Sequence, residues 1–365
     1  MISSMPKKHA TIVVAMSGGV DSSTVAAMLC EQGYNVIGIT LQLYDHGMAI
    51  GKKGACCAGQ DIYDAKMVAD KLNIPHYVLD YESNFKKAVI NDFVDSYVRG
   101  ETPLPCVRCN QSVKFKDLLK MARDLGADGL ATGHYVRRIE GKDGPELHTG
   151  IDPLKDQSYF LFTTTMDQLS YVYFPIGNLS KQETREIASR FGLDVADKPD
   201  SQDICFVPDG DYRTIVTKIN PNANQKGKIL HVDGFELGQH DGIINYTIGQ
   251  RKGLGISFSE ALYVIKIDPI TKIVYVGSES KLNATEFIIK EVNWLDLKSL
   301  TENLEVKVKI RSTRPGAFAK IQKIDNDQIL VKLLSPEKAV TPGQACVIYD
   351  ETRVLGGGWI SREIS

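Results

Sequence analysis

The sequence lacks any apolar stretch of membrane-spanning length and any large excess of charge of one sign. A bilayer span needs about 20 consecutive apolar residues, so we expect no transmembrane segment and no membrane partner. The chain has 43 Lys and Arg against 45 Asp and Glu, and this balance of −2 excludes the strongly basic field of a histone-like protein. A nucleic-acid partner must therefore be bound by a local basic patch.

Internal repeats, low-complexity tracts and the apolar core of a secretory signal are also missing, and we therefore expect a cytoplasmic protein. In a reducing compartment, a chain with an odd number of cysteines is not expected to build a disulfide framework. Clustered cysteines must then be explained by chemistry, metal binding or burial. The seven are Cys30, Cys56, Cys57, Cys106, Cys109, Cys205 and Cys346.

The length of 365 residues predicts two or three domains. The β-branched run Thr11–Met16 predicts a strand buried on both faces, and Ser22–Gln32 predicts a helix with Val25, Ala26 and Leu29 on its buried face. Strands and helices then alternate, which predicts an α/β domain with a mainly parallel sheet. We predict this domain over residues 1–208, a small β-rich domain with its linker over 209–285, and a C-terminal β-barrel domain over 286–365.

Local signals predict several boundaries within these domains. Ser112–Leu125 is predicted as a helix, and Ser180 as the N-cap of a helix over Lys181–Phe191. The turn-rich segment that follows Phe206 predicts a linker between domains. Two Asp-Gly pairs, at 233–234 and 241–242, predict hairpin turns.

The sharpest motif is Ser17-Gly18-Gly19-Val20-Asp21-Ser22, between the first strand and the first helix. Its glycines permit a tight turn, and a helix N-terminus with neighbouring hydroxyls favours a bound phosphate. Asp21 suits an anion site only if Mg²⁺ accompanies the phosphates. An ordinary packing turn does not account for the serines and the aspartate, so the motif predicts nucleotide binding. It resembles the PP-loop of the ATP pyrophosphatases, a superfamily that also includes tRNA-lysidine synthetase.

A second motif combines three cysteines. Cys106-Val107-Arg108-Cys109 is predicted to lie in a loop before a helix, where the helix N-terminus and Arg108 would lower the thiol pKa. Cys205 is predicted to lie in another loop of the same domain. The phosphate loop argues against a thioredoxin-like pair, and the lack of a second Cys-x-x-Cys argues against structural zinc. An iron–sulfur cluster and direct sulfur handling by a persulfide and a resolving thiol both stay open.

Further motifs extend over most of the chain. They are Cys56-Cys57 with Asp61, TPLPCVRCN at 102–110, ATGHY at 131–135, KDQSYF at 155–160, PDSQDICF at 199–206 and GQRKGLGI at 249–256. Together they resemble the tRNA-specific 2-thiouridylases of the MnmA/TrmU family. The resemblance implies ATP-dependent thiolation of the wobble uridine in the anticodon loops of tRNAs for Lys, Glu and Gln. It also implies adenylation of uridine O2, release of AMP and pyrophosphate, and a sulfur-donor protein such as a cysteine desulfurase or a sulfur relay protein.

The resemblance assigns roles to individual residues. Cys109 is implied to be the nucleophile, and Cys205 to carry the persulfide and form a transient disulfide with Cys109. The implied ATP-binding positions are Ala15, Met16, Ser17, Gly18, Gly19, Val20, Asp21, Ser22, Leu41 and Gly133. The implied contacts with tRNA or the target base are Leu104, Pro105, Cys106, His134, Lys155, Asp156, Gln157, Arg311, Ser312 and Gln344.

One departure from the family pattern bears on the mechanism. The family commonly has Asp-x-x-Cys where this chain has Cys106-Val107-Arg108-Cys109, so a third thiol replaces a carboxylate. An iron–sulfur (4Fe–4S) cluster on Cys106, Cys109 and Cys205 is therefore the alternative sulfur carrier. A non-catalytic ATP- and RNA-binding protein is a further alternative, and it would be expected to lack Cys109, Cys205 or the loop serines, which are all present.

Other candidates have competing structural interpretations. His134 is equally compatible with a packed strand-end histidine, and Cys30, Cys56, Cys57 and Cys346 are expected to be structural. The C-terminal domain carries a basic stripe, in which phosphate contacts compete with a solvated β-face. Its seven cations outnumber the acids Glu305, Asp325 and Asp327, and they are Lys307, Lys309, Arg311, Arg314, Lys320, Lys323 and Lys332.

Overall fold

A computed structural model describes residues 7–44, 57–200, 204–207, 210–296, 304–325 and 327–364. The chain divides into two units. The first comprises residues 1–89, 106–206 and 351–355, and the second comprises 90–105, 207–350 and 356–365. In the described part of the chain, no helix is both long enough and apolar enough to cross a membrane. The predicted division at 208 and 285 stays a prediction.

The first unit contains a five-stranded parallel sheet with β1 at its centre, which confirms the predicted α/β domain. Ile12, Val13 and Val14 of β1 are fully buried, as expected for a strand covered on both faces. The sheet order is β3-β2-β1-β4-β7, and β5 and β6 form a hairpin. The strands are β1 (Thr11–Ala15), β2 (Asn35–Gln42), β3 (His76–Asp80), β4 (Gly129–Ala131), β5 (Val136–Gly141), β6 (Gly144–Thr149) and β7 (Val172–Tyr173).

Helices connect these strands, and two stretches between them are π-helical, Lys86–Ile90 and Cys109–Leu118. The predicted N-cap Ser180 is confirmed, because its hydroxyl accepts from the Glu183 N–H in a complete capping box. The α-helices are α1 (Val20–Glu31), α2 (Cys57–Leu72), α3 (Glu82–Phe85), α4 (Asn91–Val98), α5 (Pro105–Arg108), α6 (Leu119–Asp124), α7 (Met166–Tyr171), α8 (Lys181–Arg190) and α9 (Tyr212–Ile219).

The core of the first unit lies where α1 packs between the sheet and neighbouring helices. Val25, Ala26 and Leu29 of α1 are completely buried, which confirms the predicted face. Cys30 is half-buried at the margin of this core, as expected for a structural thiol. Cys56 and the side chain of Cys57 lie outside the described residues, so their expected structural role stays a prediction.

The second unit contains a four-stranded sheet and a closed antiparallel barrel, as predicted for the β-rich part of the chain. The sheet order is β10-β11-β8-β9, and the barrel runs β12-β15-β14-β13-β16-β17 and closes by pairing of β12 with β17. Cys346 is fully buried in β16, as predicted. The strands are β8 (Gly227–His231), β9 (Glu236–His240), β10 (Tyr263–Asp268), β11 (Ile273–Gly277), β12 (Asn283–Trp294), β13 (Leu304–Lys309), β14 (Ala317–Lys323), β15 (Ile329–Lys338), β16 (Ala345–Asp350) and β17 (Arg353–Ile364).

In the middle of the chain, the predicted linker stays a prediction and one of the two predicted hairpin turns is wrong. The segment predicted as a linker contains α9, which Asp211 caps and which buries Val216. Tyr212 of this helix stacks on Tyr97 with ring centroids 4.3 Å apart, so tertiary packing overrides the weak local signal. The Asp-Gly pair at 233–234 does form the turn between β8 and β9, but the pair at 241–242 leads into a short 3₁₀ turn over Ile243–Asn245.

The loop predicted around Cys106 and Cys109 is also wrong. Helix α5 begins at Pro105, and the chain continues as the π-helical stretch that begins at Cys109. Proline is favoured in the first helical turn because its missing N–H would have no partner there. The helix therefore begins seven residues before the predicted start at Ser112 (112 − 105), and both cysteines lie within it.

Candidate active site

The phosphate loop follows β1 at the carboxyl end of the central strand. The Ser17 N–H donates to Ser22 Oγ at 3.1 Å, and the two hydroxyl oxygens lie 3.3 Å apart. Gly19 is the N-cap of α1, and no side chain caps this helix end. The first-turn N–H groups and the helix dipole are therefore directed at the space in front of the loop, where an anion is favoured.

At two positions, other backbone atoms approach so closely that only glycine fits. Gly18 has a φ of +72°, and a Cβ there would lie 2.1 Å from the carbonyl oxygen of Asp61. Gly133, which follows β4, would place a Cβ 2.8 Å from the Ser22 nitrogen. Any larger residue at either position would displace the loop. The predicted Gly133 therefore lies against the phosphate loop.

The remaining predicted nucleotide positions lie beside the loop. Ala15 ends β1, and the Met16 N–H donates to the Ile39 carbonyl oxygen at 2.8 Å. Leu41 lies near the end of β2 and pairs with Leu79. Since carboxyl ends of parallel strands share one edge of a sheet, these residues and the loop form one site, of the kind that open α/β sheets use for ligands.

A protein cation neutralises Asp21. Lys181 Nζ lies 2.7 and 2.9 Å from the two carboxylate oxygens of Asp21, and the Tyr135 hydroxyl donates to the same carboxylate at 2.7 Å. Lys181 also lies 2.7 Å from Asp200, which pairs with Lys155 at 2.7 Å. Burial would raise the pKa of Asp200, but hydrogen bonds from Lys155 and Lys181 outweigh it and lower that pKa.

Lys198 ties the phosphate loop to α2. Its Nζ donates to the Gly18 carbonyl oxygen at 3.0 Å and pairs with Asp61 at 2.7 Å and with Asp64. Burial acts to lower the pKa of Lys198, and the two carboxylates reverse that effect and raise it. Sequence reasoning missed Lys181, Lys198 and Tyr135, although an aspartate inside an anion-binding loop is a signal that a cation must lie nearby.

Three free thiols form the second part of the site. Cys106 lies on α5, Cys109 begins the π-helical stretch, and Cys205 lies in a turn within 204–207. They lie within electrostatic reach of one another, because Cys106 and Cys109 both raise the pKa of Cys205. We call Cys106, Cys109 and Cys205 the thiol cluster.

The predicted lowering of the thiol pKa is wrong. Burial raises the pKa of Cys106 and Cys109, and it is the largest of the effects that raise the pKa of Cys205 to about 12. Cys109 is only 8% exposed, whereas Cys106 and Cys205 are exposed. Arg108 donates to Gln111 at 3.1 Å, and the cation that acts on all three thiols is Lys114.

Among the described residues, no group of three or more His, Cys, Asp or Glu side chains is arranged to hold a metal ion. An iron–sulfur cluster on Cys106, Cys109 and Cys205 stays a prediction. Asp21 and Asp200 converge on one ammonium group, and such a carboxylate pair suits Mg²⁺ carried by phosphates, which takes only one or two protein ligands.

Comparisons with known proteins identify the family. A family model described as "tRNA methyl transferase HUP domain" matches residues 10–209, a "PRC-barrel domain" of the same series matches 215–278, and an "Aminomethyltransferase beta-barrel domain" matches 284–360. A tRNA-specific 2-thiouridylase MnmA of Rickettsia bellii is 72% identical over 359 residues, which cover 98% of each chain. The chain belongs to the tRNA-specific 2-thiouridylase family. A relative with the same name in Rickettsia rickettsii is also 72% identical over 98% of each chain.

Solved structures show lower similarity to this 2-thiouridylase family member. A 4-thiouridine synthetase–RNA complex with bound ATP is 16% identical and covers 55% of this chain and 46% of that chain, with a TM-score of 0.34.

The predicted tRNA-contact positions in the first unit have protein partners. His134 Nδ1 lies 2.8 Å from the Thr132 hydroxyl, and burial and then Lys114 hold the His134 pKa well below its usual range. Asp156 accepts from the Gly150 N–H at 3.1 Å, and Gln157 accepts from the Tyr135 N–H at 2.9 Å. These side chains stabilise the local fold, and their predicted RNA contacts stay predictions.

The predicted tRNA-contact positions in the second unit also support local structure. Gln344 Nε2 donates to the Thr102 carbonyl oxygen at 3.0 Å, which fixes the segment that continues through Leu104 to Pro105. Arg311 donates to the Ala339 carbonyl oxygen at 3.0 Å, and Ser312 beside it is half-buried.

The basic stripe has an outward face. Lys320 pairs across the strands with Lys332, and both are exposed. Like charges directly opposite on a sheet are unfavourable unless an anion binds between them. Lys307 pairs with Phe318, whose side chain is 60% exposed.

Proposed function

We propose that the chain catalyses the ATP-dependent 2-thiolation of the wobble uridine in tRNAs for Lys, Glu and Gln, in the cytoplasm. The observation that carries the proposal is the presence, in one unit, of an uncapped phosphate loop and a cluster of three free thiols. An ATP pyrophosphatase site supplies activation, and thiols supply sulfur. The family membership supports this combination.

ATP is needed because the C2 oxygen of uridine is a poor leaving group. Uridine O2 attacks the α-phosphate, pyrophosphate leaves, and AMP becomes the group that sulfur displaces. The Ser17 and Ser22 hydroxyls and the first-turn N–H groups of α1 would hold the phosphates. Asp21 and Asp200 would hold Mg²⁺, which when bound neutralises charge that develops on the phosphate oxygens.

Sulfur transfer then uses two thiols. The terminal sulfur of a Cys205 persulfide, loaded by a sulfur-donor protein, attacks C2 and displaces AMP. The Cys109 thiolate attacks Cys205 Sγ, which breaks the sulfur–sulfur bond and leaves 2-thiouridine with a Cys109–Cys205 disulfide. A thiol reductant outside the protein must supply two electrons to restore both thiols. The electrostatic influence of Cys109 on Cys205 supports this pairing.

Recognition of tRNA uses the anticodon loop and its backbone phosphates. A wobble base is single-stranded, so turning it into a pocket costs little compared with a base in a duplex. Leu104, Pro105 and Cys106 would border this base. The exposed lysines of the barrel, Lys307, Lys320 and Lys332, would contact phosphates.

The test is a reconstituted reaction with unmodified tRNA, ATP and a persulfide donor, followed by nucleoside analysis and phosphate chromatography. We expect 2-thiouridine with one AMP and one pyrophosphate per turnover, and no dependence on a methyl donor. Formation of ADP, or of a methylated base, would overturn the proposal. An anaerobic assay for iron and acid-labile sulfide accompanies it, and stoichiometric iron would replace the persulfide route with a cluster on Cys106, Cys109 and Cys205.

A further inference from the structure

Lys114 belongs to none of the motifs above, yet it lies on the same helical stretch as two members of the thiol cluster. The stretch Cys109–Leu118 is π-helical, and in this geometry a turn closes between residues i and i+5. Lys114 is the fifth residue after Cys109, so the two positions lie nearly above one another. In an α-helix of 3.6 residues per turn, the same spacing would place them on opposite sides.

The titratable groups around Lys114 include thiols rather than carboxylates. Among the described residues, Lys114 forms no ion pair with Asp or Glu. The titratable groups that it faces are Cys106, Cys109, Cys205 and His134, and Tyr44 is hydrogen-bonded to Cys205. Lys114 is half-buried, whereas Lys116 on the same stretch is exposed.

Lys114 opposes the effect of burial on each thiol. It lowers the pKa of Cys106, Cys109 and Cys205, and it is the largest lowering influence on Cys106 and on Cys109. A cation favours the thiolate, and the thiolate is the reactive form in sulfur transfer. The same cation also favours the neutral form of His134.

We infer that Lys114 is a positioning residue for thiolation, whose ammonium group stabilises the thiolate of Cys109 and, after it, those of Cys106 and Cys205. The inference deepens the proposed function and rests on it for its biological meaning. The π-helical geometry is what makes the assignment possible, since it carries a lysine from the next turn back to the nucleophile. π-Helical turns are rare in proteins and are frequent at functional sites.

The test measures thiol reactivity directly. Wild type, Lys114→Met and Lys114→Arg are alkylated with iodoacetamide from pH 6 to pH 10, and each cysteine is quantified by peptide mass spectrometry. We expect Lys114→Met to shift the Cys109 profile upward by about one pH unit, which corresponds to about tenfold slower alkylation near neutral pH. Lys114→Arg keeps the charge and should retain most of the reactivity.

Lys116→Met is the matched control, because it removes an exposed lysine two positions away on the same stretch. Its alkylation profile should match that of wild type. Each variant is first checked by thermal unfolding, and Lys114→Gln replaces Lys114→Met if the latter is unfolded. An unchanged Cys109 profile in a folded Lys114 variant would overturn the inference. Because alkylation requires neither ATP nor tRNA, failure of the thiolation reaction itself would be seen separately.

Discussion

The phosphate loop and the thiol cluster lie in the same unit and handle charge in opposite ways. Around the loop, each carboxylate has a cation: Asp21 pairs with Lys181, and Asp61 and Asp64 pair with Lys198. In the thiol cluster, burial raises the pKa of each thiol, and Lys114 opposes that effect on all three. The carboxylates around the loop are therefore paired with cations, whereas in the thiol cluster burial favours the neutral thiols and Lys114 favours the thiolates.

This difference has a functional consequence. A preorganised anion site loses little free energy to rearrangement when phosphate binds. A thiolate in a protein is exposed to oxidation and to unwanted disulfide formation in proportion to its ionised fraction. A raised thiol pKa limits both.

The largest expected effect is the loss of thiolation when a thiol of the cluster is removed. It should distinguish the thiol cluster from the phosphate loop. Cys109→Ser and Cys205→Ser should each abolish thiolation, a loss of at least about a thousandfold, because one thiol resolves and the other carries sulfur. ATP affinity should stay unchanged in both, as measured by equilibrium dialysis. Cys106→Asp restores the common family pattern and should keep substantial activity.

The opposite result would be that Cys106→Ser, purified without oxygen, loses iron and thiolation together while the wild type holds stoichiometric iron. All three thiols would then act as ligands, and the persulfide route would be wrong.

The second effect is on the loop. Lys181→Met leaves Asp21 and Asp200 without their shared cation, and Lys181 is only 12% exposed. We expect the free energy of unfolding to fall by about 1–3 kcal/mol, because an unpaired charge in a partly buried site is unfavourable. The measurements are urea unfolding and the KM for ATP, which should rise by about tenfold or more.

The control for this variant is Lys120→Met, which removes an ion pair with Asp124 at the surface. It should leave both measurements unchanged, since exposed pairs contribute little. A Lys181 variant that behaves like this control would show that the charges around the loop are not coupled.

A smaller effect concerns the basic stripe. Replacing Arg311 and Arg314 by Gln should weaken tRNA binding several-fold and reduce the slope of log Kd against log salt by about one for each lost phosphate contact. Arg314 is exposed, whereas Arg311 also donates to a backbone carbonyl. The double variant Lys320→Gln, Lys332→Gln tests the outward face of the stripe without disturbing the hydrogen bond of Arg311. An unchanged slope in both pairs would make the stripe an ordinary solvated surface.

The smallest effect is on stability at high pH. The pKa of Cys205 is raised from an ordinary value near 9 to about 12 in the folded protein. The folded state therefore binds more protons than the unfolded state above pH 9, and its stability falls as the pH rises from 9 towards 12. Cys205→Ala should flatten this loss when unfolding is followed by circular dichroism between pH 8 and pH 11. A curve identical to that of wild type would mean that Cys205 does not contribute.

Much of the fold was predictable from local patterns. The buried run of β1 and the face of α1 follow from hydrophobic periodicity, and Ser180 follows from capping chemistry. The missed helix lacks such a signal, because α9 begins within a turn-rich segment.

The sequence by itself determined which chemical groups the site contains. A six-residue turn between a strand and a helix specifies a phosphate loop, because its backbone geometry and its hydroxyls are set by neighbours in the chain. The three cysteines of the thiol cluster could also be identified from the sequence, since each lies within one of the motifs TPLPCVRCN and PDSQDICF.

Only the tertiary structure decided how those groups are charged. The partners of Asp21 are Lys181 of α8 and Tyr135, which lie more than a hundred positions away in the sequence. No local pattern could therefore predict them. The thiol pKa values depend on burial, which raises them, and on Lys114, which lowers them. Burial is the larger effect, and it reverses the expectation drawn from Arg108 and a helix end. Protonation states depend on the density and charge of the surroundings in three dimensions, and these surroundings exist only once the chain has folded.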